Sequence, residues 1–550
     1  MALQFFTSAV SWAATPSGGG VDAGAARGNV LIPPVKSHPL TPSPALAPDQ
    51  AISNRLQPGA VGQPSFGSAR IAGFSSDVEH DAIGPGQITP LIGQQVTEAR
   101  WQSISSHLWE SYRAQGYLVR IDLLLDGKGA ARVKVSQLRV HALKVSAAPG
   151  VAADEKIRFE QIARSEIVAG APVDLPRLEA LIRRFYYRNQ EIAQIDMSSF
   201  DRATVDISLS LQPPRLPAID KPWRISVDNY GLDDLGRTRI SASAQVSPAA
   251  SGDLLSVNAL TSAGLKAGDL RYDLPAPLMW PLRFALDYNY LNYSVQHTAP
   301  GEGQDGDAQT VRLEASYPQF FWGGGMLTHT LSVDQVHASD NLADINTDNK
   351  EMNNLRYRAL ALNFAGGRAN GLLELTWGHL SLGGDQAQAQ DSVAQTQGEY
   401  SKAYGEASWN QNLGAALTLD TRLRGQMASK NLDSLEKFSL GGVSAVRAYD
   451  ADQARGDQGL AGSIDLWARP LNDQPLRVGV FADWGMVQSQ RKPWVGSGDP
   501  NRYDLNAGGA ELSYDYQALN LILTAAHPLT QSNVVTNSGW RLWAEASLRF

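Results

Sequence analysis

Residues 540–550 read Trp-Arg-Leu-Trp-Ala-Glu-Ala-Ser-Leu-Arg-Phe. Trp540, Leu542, Ala544, Ala546, Leu548 and Phe550 fall on one parity, and Arg541, Glu545, Ser547 and Arg549 on the other. A period of two means a strand with one apolar and one polar face. The same alternation recurs upstream. Leu282, Phe284, Leu286 and Tyr288 oppose Arg283, Asp287 and Asn289. Leu417, Leu419, Leu423 and Met427 oppose Asp420, Arg422, Arg424 and Gln426, and Leu476, Val478, Val480 and Trp484 oppose Arg477 and Asp483. After Pro213 and Pro214 no helical pattern competes with it.

Alternation alone does not choose between a soluble sandwich, apolar inside, and a membrane barrel, apolar outside. Length does. Residues 213–550 exceed the ~250 residues that are already long for one all-β domain. Sixteen strands would leave about 21 residues for each strand and its connection, which suits spans of ~9–11 residues joined by alternating short turns and long loops. Polar, acidic stretches at Thr298–Thr310, Ser339–Asn354 and Gly383–Glu399 read as the long loops, and Gly323–Gly325, Gly366–Gly371 and Asn472–Pro475 as the short turns. The expected fold is therefore a membrane β-barrel of about sixteen antiparallel strands over 213–550.

Composition narrows the alternatives. The chain has 550 residues, of which 43% are hydrophobic, too many for a wholly disordered chain. Forty-seven basic against 55 acidic residues give a net charge of −8, which argues against nucleic acid as a partner. No cysteine is present, so disulfides, thiolate metal sites and Cys nucleophiles are excluded. No run of ~18 apolar residues occurs, so the sequence offers no membrane-spanning helix.

The N-terminal part divides further. Residues 1–14 (MALQFFTSAVSWAA) read as a secretory signal peptide, although no Lys or Arg precedes Arg27; a buried or plugging helix is the rival reading. Residues 15–69, dense in Pro and Gly, read as an extended linker without ladder pairing. Residues 70–143 and 144–212 read as two copies of a strand–helix–helix–strand–strand unit. In the first, Ala69–Val78 is extended, Ile88–Gln115 one helix stopped by Gly116, Tyr117–Leu125 a strand and Ala131–Val145 one long strand. In the second, Arg158–Val168 is a helix, Asp174 caps another with Pro176 in its first turn, and Ile192–Ser198 and Thr204–Leu211 are strands. With both helices on one sheet face, each unit leaves a sheet edge open.

Three stretches carry a family resemblance. Phe438–Tyr449 (FSLGGVSAVRAY) is similar to the signature of an inward-folded sixth extracellular loop, near 428–460, whose core Val-Arg-Gly-Tyr/Phe appears here as Val446-Arg447-Ala448-Tyr449. Phe481-Ala482-Asp483-Trp484-Gly485 matches Phe-x-Asp-x-Gly, and Asp228-Asn229-Tyr230-Gly231 with Gly236 and Arg239 resembles a first barrel strand and its return. Together they resemble the two-partner secretion transporters (TpsB; ShlB/FhaC/HecB-like) of the superfamily that includes BamA and TamA. Phe550, ending an amphipathic strand, resembles the C-terminal signal of bacterial outer-membrane barrels.

The resemblance implies two POTRA domains in the periplasm of a Gram-negative cell and a barrel in its outer membrane. It implies a type V secretion pore that passes an unfolded exoprotein to the cell surface. That partner would be captured as an added strand at the POTRA sheet edges. It further implies a monomer in outer-membrane lipid, built by the barrel assembly machinery, with no cofactor, no metal and no enzymatic activity. It also implies a latch between Arg447 and Asp483. Parity supports the latch: Phe481, Asp483 and Gly485 share the polar parity of Arg477, which puts Trp484 toward lipid, and an Arg fork suits a carboxylate. On the residues alone, Arg447 as a surface loop residue and Asp483 as a wetted lumen carboxylate remains open. Ala448 departs from the family Gly, so either the loop tip is rearranged or this residue sits at φ < 0. Two other functions stay open: a factor that inserts other barrels, and a barrel enzyme, although no Gly-x-Ser-x-Gly elbow appears. Gly301–Gly306 fits GxGxxG but precedes a strand-like segment, and Arg455-Gly456-Asp457 reads as loop chemistry.

Overall fold

The structure, a computed structural model, describes residues 52–53 and 69–550, apart from 80, 127–128, 152, 190–191, 202, 213–221, 249–252, 277–280, 297–302, 322, 343–344, 452, 471–474, 495–499 and 531–538. The signal-like segment 1–14 and most of the linker 15–69 lie outside the described residues. Within the linker, β1 (Ile52–Ser53) is a correction: it pairs in parallel, Ile52 with Ile195 and Ser53 with Asp196. It lies in a proline-free stretch between Pro48 and Pro58, where backbone donors are available.

The α/β region and the barrel are separate compact units. In the former, β2 (Arg70–Ser76), α1 (Ile83–Ile88), α2 (Glu98–Ala114), β3 (Val119–Leu125) and β4 (Ala130–Gln137) build a three-stranded sheet of order β2-β4-β3. Next come β5 (Arg139–Ala147), α3 (Ala153–Glu166), α4 (Leu175–Asn189), β6 (Ile192–Ser199) and β7 (Thr204–Gln212), with sheet order β1-β6-β7-β5. Two expectations need correcting. Residues 88–115 are not one helix: α1 ends at Ile88, a 3₁₀ turn spans Thr89–Leu91, and α2 starts at Glu98 with the Thr97 hydroxyl accepting from the Arg100 N–H. Pro90 and Gly93 break the helical path. Residues 131–145 are not one strand, because the chain passes at Leu138 from the first sheet to the second. The boundary therefore lies there, not at 143/144. Alternation continues across the switch, so it does not reveal which sheet each half joins.

The second unit's core is apolar and continuous, with the rings of Phe159 and Phe185 meeting edge-on, centroids 4.7 Å apart. In the first unit Asp81 accepts hydrogen bonds from the Tyr112 hydroxyl and from the Ile83 and Gly84 N–H groups, each of the latter at 3.0 Å. Burial alone would raise the Asp81 pKa. Hydrogen bonds from Ser76, Tyr112, Gly84 and Ile83 outweigh it and hold the carboxyl below its ordinary value. A depressed folded pKa contributes stability above the unfolded value that is lost as pH falls through the folded one. Tyr112→Phe is therefore expected to weaken this end of α1 by ~1–2 kcal/mol at neutral pH, with the difference shrinking only as pH falls below the ordinary carboxylate value, about 4, and through the lowered folded one. Amide exchange at Ile83 and Gly84 against pH checks this; an unchanged gap between the two proteins at acid pH contradicts it.

The barrel strands are β8 (Trp223–Asp228), β9 (Arg239–Val246), β10 (Leu254–Thr261), β11 (Leu265–Pro275), β12 (Arg283–Ser294), β13 (Gln304–Phe320), β14 (Met326–Leu342) and β15 (Ile345–Asn363). Then follow β16 (Ala369–Gly383), β17 (Gly398–Asn412), β18 (Leu417–Ala428), β19 (Gln458–Ala468), β20 (Leu476–Gln488), β21 (Arg502–Tyr516), β22 (Leu519–Pro528) and β23 (Arg541–Arg549). These sixteen form one closed antiparallel barrel, each strand pairing with its chain neighbours and β23 with β8. At that seam Glu545–Arg549 pair with Arg224–Asp228, and Phe550 exchanges backbone hydrogen bonds with Trp223. Beyond the ladder the Asn229 side chain takes over, donating to the Leu542 carbonyl and accepting from the Ala544 N–H.

The outer face carries the apolar parity. Ile225, Val227, Leu373, Val480, Leu523 and Leu548 all point outward and are exposed. On β16 the outward row reads Leu373, Leu375, Trp377 and then turns polar at His379 and Ser381. On β14 it turns from Leu331 and Val333 to Gln335 and His337. Trp409, opposite Ala369, marks the other edge. From the level of Ala369 to Trp377 is about 27 Å along a strand, or ~20 Å across the wall at a tilt of roughly 40°, close to the apolar band of outer-membrane barrels. The polar stretch Ser339–Asn354 is therefore not a long loop. It is the tip of the β14–β15 hairpin, paired through Leu342 and Ile345, standing clear of the apolar band. Polarity there reports contact with water, not loss of the ladder. The Gly383–Glu399 connection holds a helix, α5 (Asp385–Ala394).

Candidate functional site: an inward-folded loop in the barrel lumen

The connection between β18 and β19, residues 429–457, turns back into the barrel. Phe438 and Ser439 pair with Gly456 and Arg455, and Leu440, Val446, Ala448 and Tyr449 are fully buried. Gly441 and Gly442 make the tip possible. A Cβ on Gly441 would lie 1.9 Å from the Asp450 carbonyl oxygen, and Gly442 has φ = 97°. Ala448, in place of the family Gly, is not among the residues with positive φ, so its Cβ causes no strain.

Arg447 follows from this turn. Its Nε lies 2.8 Å from Asp483 Oδ2 and its Nη2 2.6 Å from Asp483 Oδ1, a two-pronged fork, and its backbone N–H donates to the same Oδ2 at 3.0 Å. Nη1 reaches Asp465 Oδ1 at 2.7 Å and Glu511 Oε2 at 3.3 Å. The guanidinium lies 3.4 Å above the Phe481 ring centre, and the Trp543 indole N–H donates to the Arg447 carbonyl at 2.7 Å. One cation thus faces three carboxylates on the consecutive strands β19, β20 and β21. Val446 and Tyr449, which flank it in sequence, are fully buried. Within Phe-x-Asp-x-Gly, Phe481 carries the ring, Asp483 receives the fork, and Gly485 leaves room: a Cβ there would come within 2.2 Å of Leu440 Cδ1 and 2.9 Å of the Leu460 carbonyl. Trp484 points outward and is exposed. The third stretch has its own geometry. Arg239 forks onto Asp228 at 2.7 and 3.2 Å, and Gly231 lies so close to Gly236 that a Cβ would fall 2.1 Å from its carbonyl oxygen.

Gly485→Ala is therefore expected to lift the loop tip while the barrel stays closed. The chain has no cysteine, so Ser444→Cys reports the tip cleanly. Its modification by a soluble maleimide should be several-fold faster in the Gly485→Ala background; equal rates would show that the glycine does not set loop docking.

Other contacts of the loop are not marked by any motif. Glu436 receives Arg356 Nη2 at 2.8 Å and Lys402 Nζ at 2.7 Å. Lys350 approaches Asp433 at 3.3 Å. Lys437 and Asp457, both fully buried, pair at 3.0 Å. In the Arg455-Gly456-Asp457 tripeptide both charged residues are buried, which suits loop chemistry rather than display. An apolar layer also lines part of the lumen. Leu260, Leu291, Val336, Met352 and Leu380 point inward and are covered by Leu232 and Leu235 of the β8–β9 connection and by Leu432 and Leu435 of the long loop. Among the described residues, no cluster of His, Asp and Glu is arranged to hold a metal ion.

Comparison with known proteins agrees with this geometry. The family model described as haemolysin secretion/activation protein ShlB/FhaC/HecB matches residues 217–498, half of the chain. The heme/hemopexin transporter protein HuxB of Haemophilus influenzae (strain ATCC 51907 / DSM 11121 / KW20 / Rd) is 23% identical over 333 residues, 58% of each chain. Its counterpart in strain 86-028NP is 22% identical over 334 residues, again 58% of each. The match thus spans under two thirds of these relatives' length. Among solved structures, CdiB from Escherichia coli superposes with a TM-score of 0.61 at 17% identity, covering 90% of this chain and 93% of that one. CdiB from Acinetobacter baumannii gives 0.56 at 14%, covering 89% and 91%. These two establish the likeness of fold.

Proposed function

Because the chain belongs to the haemolysin secretion/activation protein ShlB/FhaC/HecB family, we propose that it is an outer-membrane pore that passes an unfolded partner exoprotein from periplasm to cell surface. The observation that carries this reading is the loop 429–457, folded into the lumen with Arg447 on Asp483. A barrel that served only as an anchor would have no use for a buried, charge-paired strap in its bore. In this reading the two α/β units are periplasmic POTRA domains. Their strands present edges to which an extended chain adds through backbone hydrogen bonds, largely regardless of its sequence. Arg447 and Asp483 latch the loop, with Val446, Tyr449, Phe481 and Gly485 in support. Phe550, at the barrel seam, serves recognition by the barrel assembly machinery. The barrel works as a monomer in outer-membrane lipid, and passenger transport makes no covalent bond.

The test is deletion of the gene with quantitative proteomics of the culture supernatant, cell surface and outer membrane. Loss of one or a few large exoproteins, with other outer-membrane barrels at normal abundance, is the expected result. A general fall in outer-membrane barrels would replace this reading with that of an assembly factor.

A further inference from the structure

The long loop enters the lumen between β18 and β19, and its charged contacts lie on both sides of that entry. On the β19–β21 side the loop supplies a cation, Arg447, to a wall of carboxylates. On the β15–β17 side the polarity reverses. The loop supplies an anion, Glu436, to Arg356 of β15 and Lys402 of β17. Glu436 closes a 3₁₀ turn, Ser434–Glu436, that is fixed by Asp433 accepting from the Leu435 N–H at 2.9 Å. Its carboxylate is spread between two cations, at 2.8 and 2.7 Å, and Lys402 Nζ also reaches its backbone carbonyl at 3.2 Å. All three residues are at most 4% exposed, so the charges are shielded from water and salt.

We propose that Glu436 is a second anchor of the loop, flanking its entry on the side away from Arg447, so that the loop leaves the lumen only when both anchors are broken. Arg447 and Glu436 are eleven residues apart, enough chain for one end to lift while the other holds. Two separate pins acting on one movement give a specific signature. Breaking either leaves the loop docked most of the time, and breaking both releases it. The signature differs from that of Arg447 and Asp483, which share one contact and lose it together. The sequence hides this anchor because Glu436, Arg356 and Lys402 lie in no motif and the lumen is rich in charge.

The inference rests on the pore reading, and the experiment separates the two. Full-length wild type, Glu436→Gln, Glu436→Asp, Asp483→Asn and the Glu436→Gln/Asp483→Asn double variant are purified and reconstituted in planar bilayers. Heat-modifiable gel mobility first establishes that each barrel is folded. Open-state occupancy under voltage is then recorded, which needs no exoprotein. Each neutralising single variant should raise occupancy several-fold, and the double variant by about the product of the two factors, because separate anchors add on a free-energy scale. Glu436→Asp, which keeps the charge, should stay near wild type; a purely steric role for Glu436 would instead make Asp and Gln alike. A double variant no more open than the more open single one, or Gln and Asp alike, overturns the second anchor. If no variant conducts, wild type included, the pore reading fails, and the anchor falls with it.

Discussion

Arg447→Ala and Asp483→Ala should each sharply reduce exoprotein secretion, and the double variant should be little worse than the more damaging single one. The fork between the two is buried, and the backbone N–H of Arg447 adds a third bond to the same carboxylate. Charge-assisted hydrogen bonds of this kind contribute ~1.5–3 kcal/mol. Loss of either partner removes them once, so the two defects overlap. The singles should also differ. Asp483→Ala leaves Arg447 with Asp465 and Glu511. Arg447→Ala strands three carboxylates around one void, a situation that costs ~3–5 kcal/mol when a buried pair is broken. Arg447→Ala is therefore expected to be the worse. Secretion is measured in the three variants at matched surface levels and placed on a logarithmic scale. Defects that sum in full would mean that the two residues act apart.

Val480→Arg should destabilise the barrel by ~2–4 kcal/mol, the cost of an arginine facing lipid at the membrane midplane. Val480 lies on the outward row of β20 between Leu476 and Trp484 and is 57% exposed. In a soluble sandwich an exposed valine would accept arginine within ±0.5 kcal/mol. Ser381→Arg is the control. It sits on the outward row of β16 four residues past Trp377, beyond the apolar band, and should be near neutral. Denaturant unfolding in lipid vesicles, with gel mobility reporting the folded barrel, distinguishes the two. Equal cost at both positions would mean that no lipid boundary lies between them.

The barrel was legible because lipid imposes one rule on every strand. Leu476, Val478, Val480 and Trp484 report it without help from any neighbour. The Arg447–Asp483 contact was legible through parity and two short motifs. Other features depend on which strands meet. Alternation runs through Leu138 without a break, although the chain changes sheets there. The inward leucines Leu260, Leu291 and Leu380 violate the polar-lumen rule, and only the covering segments, 232–235 and 432–435, explain them. Glu436 looked like any loop carboxylate. Its meaning comes from Arg356 and Lys402, respectively 80 and 34 residues earlier.

The loop's berth is assembled from strands that appear late in the chain. Asp465, Asp483 and Glu511 arrive in succession, and the indole that holds the Arg447 carbonyl belongs to β23, 96 residues after the arginine. The same strand zips onto β8 across more than three hundred residues. A nascent barrel with an unjoined seam also has an unfinished lock, and the strand that completes the wall completes the lock. One strand thus both closes the cylinder and finishes the berth of the loop.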